Sequence, residues 1–141
     1  MNHSSLEDKL VQSYQETNYY VYAQPAFFLT IGKQSPELSR LHDKYRVDSS
    51  AFITAFNPYS TELEEQQNLE RNAMLALQLG ELDHSFIEGV GQHLSKQWPG
   101  EPSFLVLGVS LDVAKEIGMQ FEQNAIVWSG PDAVPELVLL R

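Results

Sequence analysis

The sequence has no cysteine. Disulfides, thiolate metal sites and a cysteine nucleophile are excluded together. Basic residues are scarce: nine Lys and Arg face nineteen Asp and Glu, for a formal net charge of -10. They are scattered and form no run, and between residues 62 and 101 eight acids meet only Arg71 and Lys96. Nucleic-acid binding draws most of its affinity from Lys and Arg on phosphates, so no nucleic-acid partner is expected. Long apolar runs are missing too; none approaches the roughly 18 uninterrupted residues of a membrane span. Met1, Asn2, His3, Ser4 and Ser5 lack the basic start and apolar run of a secretory signal. The expected setting is the cytoplasm, with no membrane partner. His3, His42, His84 and His93 show no i, i+4 pairing, and there is no G-x-S-x-G elbow. Neither a metal site nor a serine triad is expected.

What remains suffices for a packed core. Hydrophobic residues make up 43% of the 141, with seven Phe, six Tyr and two Trp among them. The length fits one domain over 1–141, an N-terminal helix and lead-in over 1–20 followed by the main body over 20–141. The first helix is expected over 5–17, where Leu6, Leu10, Val11 and Tyr14 share a face and Ser4 and Glu7 have capping-box spacing. Ser35, Pro36 and Glu37 read as a second helix start, ending near Tyr45. Ser60 or Thr61 is expected to cap a third helix running to about Leu79, with Gly80 as its stop. Ser110 and Asp112 open a fourth. Strands are expected at 26–31, 51–56, 104–109, 125–128 and 137–140, with a weaker one at 85–88. Residues 89–100 read as a glycine-bearing loop closed by Trp98 and Pro99. The class is α/β or α+β: one mixed, mostly buried sheet of about five or six strands, with about three to four helices packed on it.

Two strand-to-helix junctions carry the most chemical information. At 57–61 and 108–110 the first N–H groups of a new helix point back to the sheet edge, where an anion can sit. Helix capping is the commoner role of Ser60, Thr61 and Ser110. In the helix that follows the first junction, Asn68, Asn72, Leu75 and Leu79 fall along one side. Its second half is apolar nearly all round and is expected to be buried. A buried amide needs partners, so the row either ties down the 57–60 turn or meets a ligand. Arg71, at the edge of the row, is a candidate partner for Glu101 or for an anionic ligand. Glu101 and Ser103 share a face at the entry of the strongest strand, and a carboxyl there is a candidate general acid or base if its pKa is raised.

Several strings form a further pattern. They are Ile31, Gly32, Ser35 and Pro36, then 51–60, Asn68 with Arg71, Gly89 to Gly91, Trp98 and Pro99 with Glu101, Ser103, Leu105, Val106 and Gly108, and 123–127. From about residue 20 to the end the chain resembles the bacterial family catalogued as domain of unknown function 3293. Lys96 departs from the pattern, standing where a glycine is expected two residues before the tryptophan. The resemblance implies a small bacterial cytoplasmic domain and supplies no reaction, substrate or catalytic residue.

The function expected first is binding of a small anionic ligand or nucleotide by Asn57, Ser60, Asn68, Arg71, Glu101 and Ser103. An alternative is a hydrolase or transferase using Glu101 as acid or base. Another is an acidic module for a protein partner, without a small-molecule site. The sequence names no cofactor.

Overall fold

The computed structural model describes residues 2–97 and 99–141, the side chains of residues 2–7 excepted. The expected capping box of Ser4 and Glu7, the inward face of Leu6 and the packing of Trp98 lie outside the described residues.

The described residues form four helices and seven strands. In chain order they are α1 (Asn2–Gln15), β1 (Thr17–Val21), β2 (Phe27–Leu29), α2 (Pro36–Tyr45), β3 (Ser50–Ile53), a 3-10 turn (Pro58–Ser60), α3 (Glu65–Glu81), β4 (Phe86–His93), β5 (Glu101–Leu107), α4 (Leu111–Gln120), β6 (Ala125–Ser129) and β7 (Glu136–Leu139). One sheet takes all the strands in the order β2-β1-β4-β5-β3-β6-β7. Every neighbouring pair is antiparallel. The fold is therefore α+β, and the expectation of about five or six strands in a mixed sheet is corrected to seven in an antiparallel one. The missing strand is β1, whose Thr, Asn, Tyr, Tyr, Val run carries little apolar signal.

The expected loop at 89–100 is also corrected, because β4 continues to His93. Gly89 and Gly91 are strand residues there. A Cβ at Gly89 would run into the Tyr20 carbonyl oxygen, and one at Gly91 would sit 3.7 Å from the Tyr19 ring. Gly89 thus marks close approach within a sheet rather than a turn, whereas the contact at Gly91 is an ordinary one. The turn lies further on, and Lys96 takes a left-handed φ of 57° in it. A glycine is expected at that position, and the backbone conformation there is one glycine adopts freely.

Two of the helix starts are as expected. The Leu38 N–H donates to Ser35 Oγ at 3.0 Å, and the Val113 N–H donates to Ser110 Oγ at 3.2 Å. The third is not. Tyr59 and Ser60 take φ of 51° and 62°, which no right-handed helix can start from. α3 instead starts behind Glu64, which forms a capping box with Gln67, and it runs through Gly80 to Glu81.

Both faces of the sheet are covered. On one, Ala51, Ile53, Phe104, Val106 and Ile126 meet Leu75 and Leu79 of α3, Ala114 and Ile117 of α4, and Phe121 just after it. On the other, Tyr19, Val21, Phe52, Leu105 and Val127 meet Leu38 and Leu41 of α2. The two lists alternate along β3 and β5, as period-2 side-chain direction requires. The inward row of α3 is Asn68, Asn72, Leu75 and Leu79, as its spacing predicts. The expected all-round burial of its second half is corrected: Met74 is 63% and Leu77 69% exposed. Among the described residues no helix is long and apolar enough to cross a membrane.

Candidate functional site

After Ile53 the chain leaves the sheet, and its backbone polar groups lose their ladder partners. A buried backbone donor or acceptor must be met by something. Side chains meet almost all of them. The Ala55 N–H donates to Asn72 Oδ1 at 2.8 Å, and the Ala55 carbonyl accepts from Arg71 Nε at 2.7 Å. The Phe56 N–H donates to Thr54 Oγ1 at 3.1 Å, and the Phe56 carbonyl accepts from Gln123 Nε2 at 3.0 Å. The Asn57 N–H donates to Asn68 Oδ1 at 2.8 Å, and its carbonyl accepts from the Ser60 N–H at 2.9 Å. Asn72 also donates to the Pro102 carbonyl at 2.8 Å, which ties this segment to the start of β5.

Asn57 is the hub. Its backbone is left-handed, with φ 47°. Its Oδ1 accepts from Asn68 Nδ2 at 2.8 Å and from the Leu63 N–H at 3.0 Å. Its Nδ2 donates to Glu101 Oε2 at 2.9 Å. Asn57, Asn68 and Glu101 are thus brought together through one amide. Arg71 is not part of that contact. Its Nη2 donates to the Phe121 carbonyl at 2.5 Å and its Nη1 meets Glu122 Oε1 at 3.4 Å. The expected Arg71–Glu101 pair does not form, because the guanidinium points across α3 toward the end of α4. Ser103 is buried, and its hydroxyl donates to the Glu101 carbonyl at 2.8 Å. Ser60 is exposed, and its Oγ accepts from Asn124 Nδ2 at 2.7 Å.

Glu101 itself is half-buried. Burial raises its carboxyl pKa above the ordinary value, and the Asn57 hydrogen bond offsets part of the rise. Its neighbour is Tyr14 of α1. Burial and the Glu101 charge push the Tyr14 phenol up to about 12, with a hydrogen bond to Ser60 pulling the other way. Tyr19 donates to the Tyr14 carbonyl at 2.9 Å, and burial raises its phenol as well. Around the carboxyl are therefore a neutral amide, a neutral phenol and an exposed hydroxyl. Such a group can accept donors from a ligand, or exchange a proton with one.

The sequence reading missed Tyr14 as a site neighbour, and Thr54, Gln123 and Asn124 as braces. Gln123 and Asn124 do stand in one of the strings that carry the family resemblance. Two grooves of about 470 and 430 Å³ lie elsewhere, beside α2 and β2, and none of the six expected site residues lines either. Among the described residues no three His, Asp or Glu side chains group closely enough to share a metal ion.

No curated protein and no solved structure matches the chain. One family model does, over residues 53–126, a shorter span than the resemblance from about residue 20 implies. The matched span starts at the last residue of β3 and contains Asn57, Ser60, Asn68, Arg71, Glu101 and Ser103. The chain belongs to the family described as protein of unknown function (DUF3293).

Proposed function

We propose that this is a small-ligand-binding domain whose site is the outer side of the 57–60 turn, with Glu101 as the central acceptor. The observation that carries the reading is the state of Glu101. It is a half-buried carboxyl of raised pKa, held by a neutral amide and met by no cation among the described residues. Keeping such a group costs stability, and perturbed carboxyls of this kind concentrate at functional sites. A turn with three left-handed residues, Asn57, Tyr59 and Ser60, holds the site, and backbone strain concentrates at functional sites too.

The two sides of the turn have different tasks. Asn68, Asn72, Arg71 and Gln123 fix it from behind. Tyr59 and Ser60 stand exposed, with Ser60 hydrogen-bonded to Tyr14 next to Glu101 and the Tyr59 ring under the Arg141 guanidinium at 4.0 Å. An anionic ligand needs Arg71 as its cation, and Arg71 is already committed to two carbonyls and Glu122. The geometry favours a ligand that brings hydrogen-bond donors, such as sugar or nucleoside hydroxyls or an amine. A nucleotide fits through its ribose rather than its phosphates.

The raised pKa also favours a second reading, in which Glu101 acts as general acid or base of a hydrolase or transferase. A thermal-shift screen with sugars, nucleosides and amines, run on the parent and on Glu101→Gln and Ser60→Ala, tests the proposal. Ligand should raise the melting temperature of the parent and not of Glu101→Gln. An equal rise in both proteins would rule Glu101 out as the central acceptor. Consumption of a screened compound by the parent alone would select the enzyme reading.

A further inference from the structure

Four of the nine basic residues, Lys33, Arg40, Lys44 and Arg46, fall within residues 33–46, against only Glu37 and Asp43 there. Arg40 and Lys44 are one helical turn apart on α2, so they share a side of it. Both are exposed, and neither forms an ion pair among the described residues. In a chain of net charge -10, two neighbouring cations that form no such pair are unusual.

They border the groove of about 470 Å³ between α2, the 22–25 loop and β4. That volume falls within the range of small-molecule sites. Leu41 and Ile87 line it from α2 and the sheet, together with Phe27 of β2. Tyr22, 58% exposed, and Tyr45, 38% exposed, add two aromatic rings, with Lys44 Nζ 6.0 Å from the Tyr45 ring centre. Glu37 is the single acid on the rim. Aromatic faces, an apolar floor and two unpaired cations together match an organic anion with a flat apolar body.

We propose that this groove is a second binding site, separate from the Glu101 turn, for small aromatic anions. The rings cover the flat body of the ligand, and Arg40 and Lys44 take its carboxylate or phosphate. Charge supplies the selection: a cation of the same shape meets like charges at the rim and is rejected.

Three probes titrated by calorimetry separate the contributions: indole-3-acetate, tryptamine and acetate. Indole-3-acetate should bind at least about tenfold more tightly than tryptamine, which has the ring with the opposite charge, or acetate, which has the charge without the ring. Added salt should weaken its binding. The double variant R40E/K44E should lose at least about tenfold in affinity. Since both side chains are exposed, it should melt close to the parent; R40Q/K44Q, which keeps chain length without reversing charge, should show the same loss. Amide shifts on adding indole-3-acetate should map to residues 22–25 and 40–45 and leave 57–60 and Glu101 unmoved. Glu101→Gln should therefore bind this probe as the parent does, whatever becomes of the Glu101 site. Tryptamine binding as well as indole-3-acetate, no binding by any probe at millimolar concentration, or full affinity in both double variants would each overturn the proposal.

Discussion

The two strand-to-helix junctions solve the same problem in different ways. Between β5 and α4 the chain uses three residues, and Gly108 takes the left-handed conformation, with φ 75°. Ser110 then caps the helix. Between β3 and α3 it uses eleven residues, and the left-handed positions are Asn57, Tyr59 and Ser60, none of them glycine. A left-handed backbone costs roughly 1–2 kcal/mol for a residue with a Cβ. The β3–α3 junction, the first along the chain, is therefore strained, and a set of buried side chains holds it in place. The second is a plain connector. Strain kept where glycine would relieve it is the pattern of a site shaped for something other than stability.

That contrast can be broken by removing one support on each side. Asn72→Ala leaves the Ala55 N–H without a partner and removes one of the two donors to the Pro102 carbonyl, which keeps the Thr54 hydroxyl at 2.7 Å. At about 1–3 kcal/mol for the unsatisfied N–H and about 1 kcal/mol for the lost bond to Pro102, denaturant unfolding should show a loss of about 2–4 kcal/mol. Ser110→Ala removes only a helix cap and should cost about 1 kcal/mol in the same assay. Equal losses would mean that the two junctions are supported alike.

Lys96→Gly sharpens the comparison from the other direction. Lys96 is left-handed, and its N–H bonds the His93 carbonyl within its own turn at 3.0 Å. Glycine there should stabilise the protein by about 1 kcal/mol, read as a higher melting temperature. A lower melting temperature would show that the left-handed turn is not strained by its side chain.

The smallest expected effect is a pH slope from His42, which sets the background for any titration of Glu101. His42 is buried, 2.8 Å from Ser50 Oγ, and burial lowers its pKa, with Asp48 and Asp43 opposing. The unfolded chain takes up this proton near pH 6.5, before the folded one does. Stability should thus fall as pH drops below about 6.5 and level off under the folded value. His42→Gln should flatten that slope in urea unfolding; an unchanged slope would assign it elsewhere.

Much of this architecture is legible in the sequence where local chemistry decides. Ser35 with Pro36, and Ser110, mark helix starts because a hydroxyl oxygen two or three residues before a free N–H needs no tertiary help. The Asn68, Asn72, Leu75, Leu79 row follows from helical period alone. The meeting of Asn68 with the 57–60 turn follows from that row's need for partners. Legibility ends where distant contacts decide. β1 is held by its neighbours rather than by apolar content. Gly89 resembles a turn residue until the Tyr20 carbonyl is seen pressed against it. The start of α3 moves to Glu64 because Tyr59 and Ser60 are held in a conformation they do not prefer. Arg71 turns to Phe121 and Glu122 instead of Glu101, and Tyr14 reaches Glu101 from the other end of the chain. No spacing rule predicts those last two contacts.

The central claim is that Glu101 is presented by the turn rather than holding it. Unfolding of Glu101→Gln beside the parent from pH 4 to pH 7 tests it directly. Gln keeps an oxygen to accept from Asn57 Nδ2 and removes the buried charge. The folded pKa of Glu101 is raised, so the parent should lose stability as pH rises from its unfolded value near 4.5 through the folded one. Glu101→Gln lacks that loss. The two proteins should match at about pH 4, and at pH 7 the variant should equal or exceed the parent. A variant weaker than the parent by about 2 kcal/mol or more at pH 7 would contradict the claim and make the carboxylate a brace.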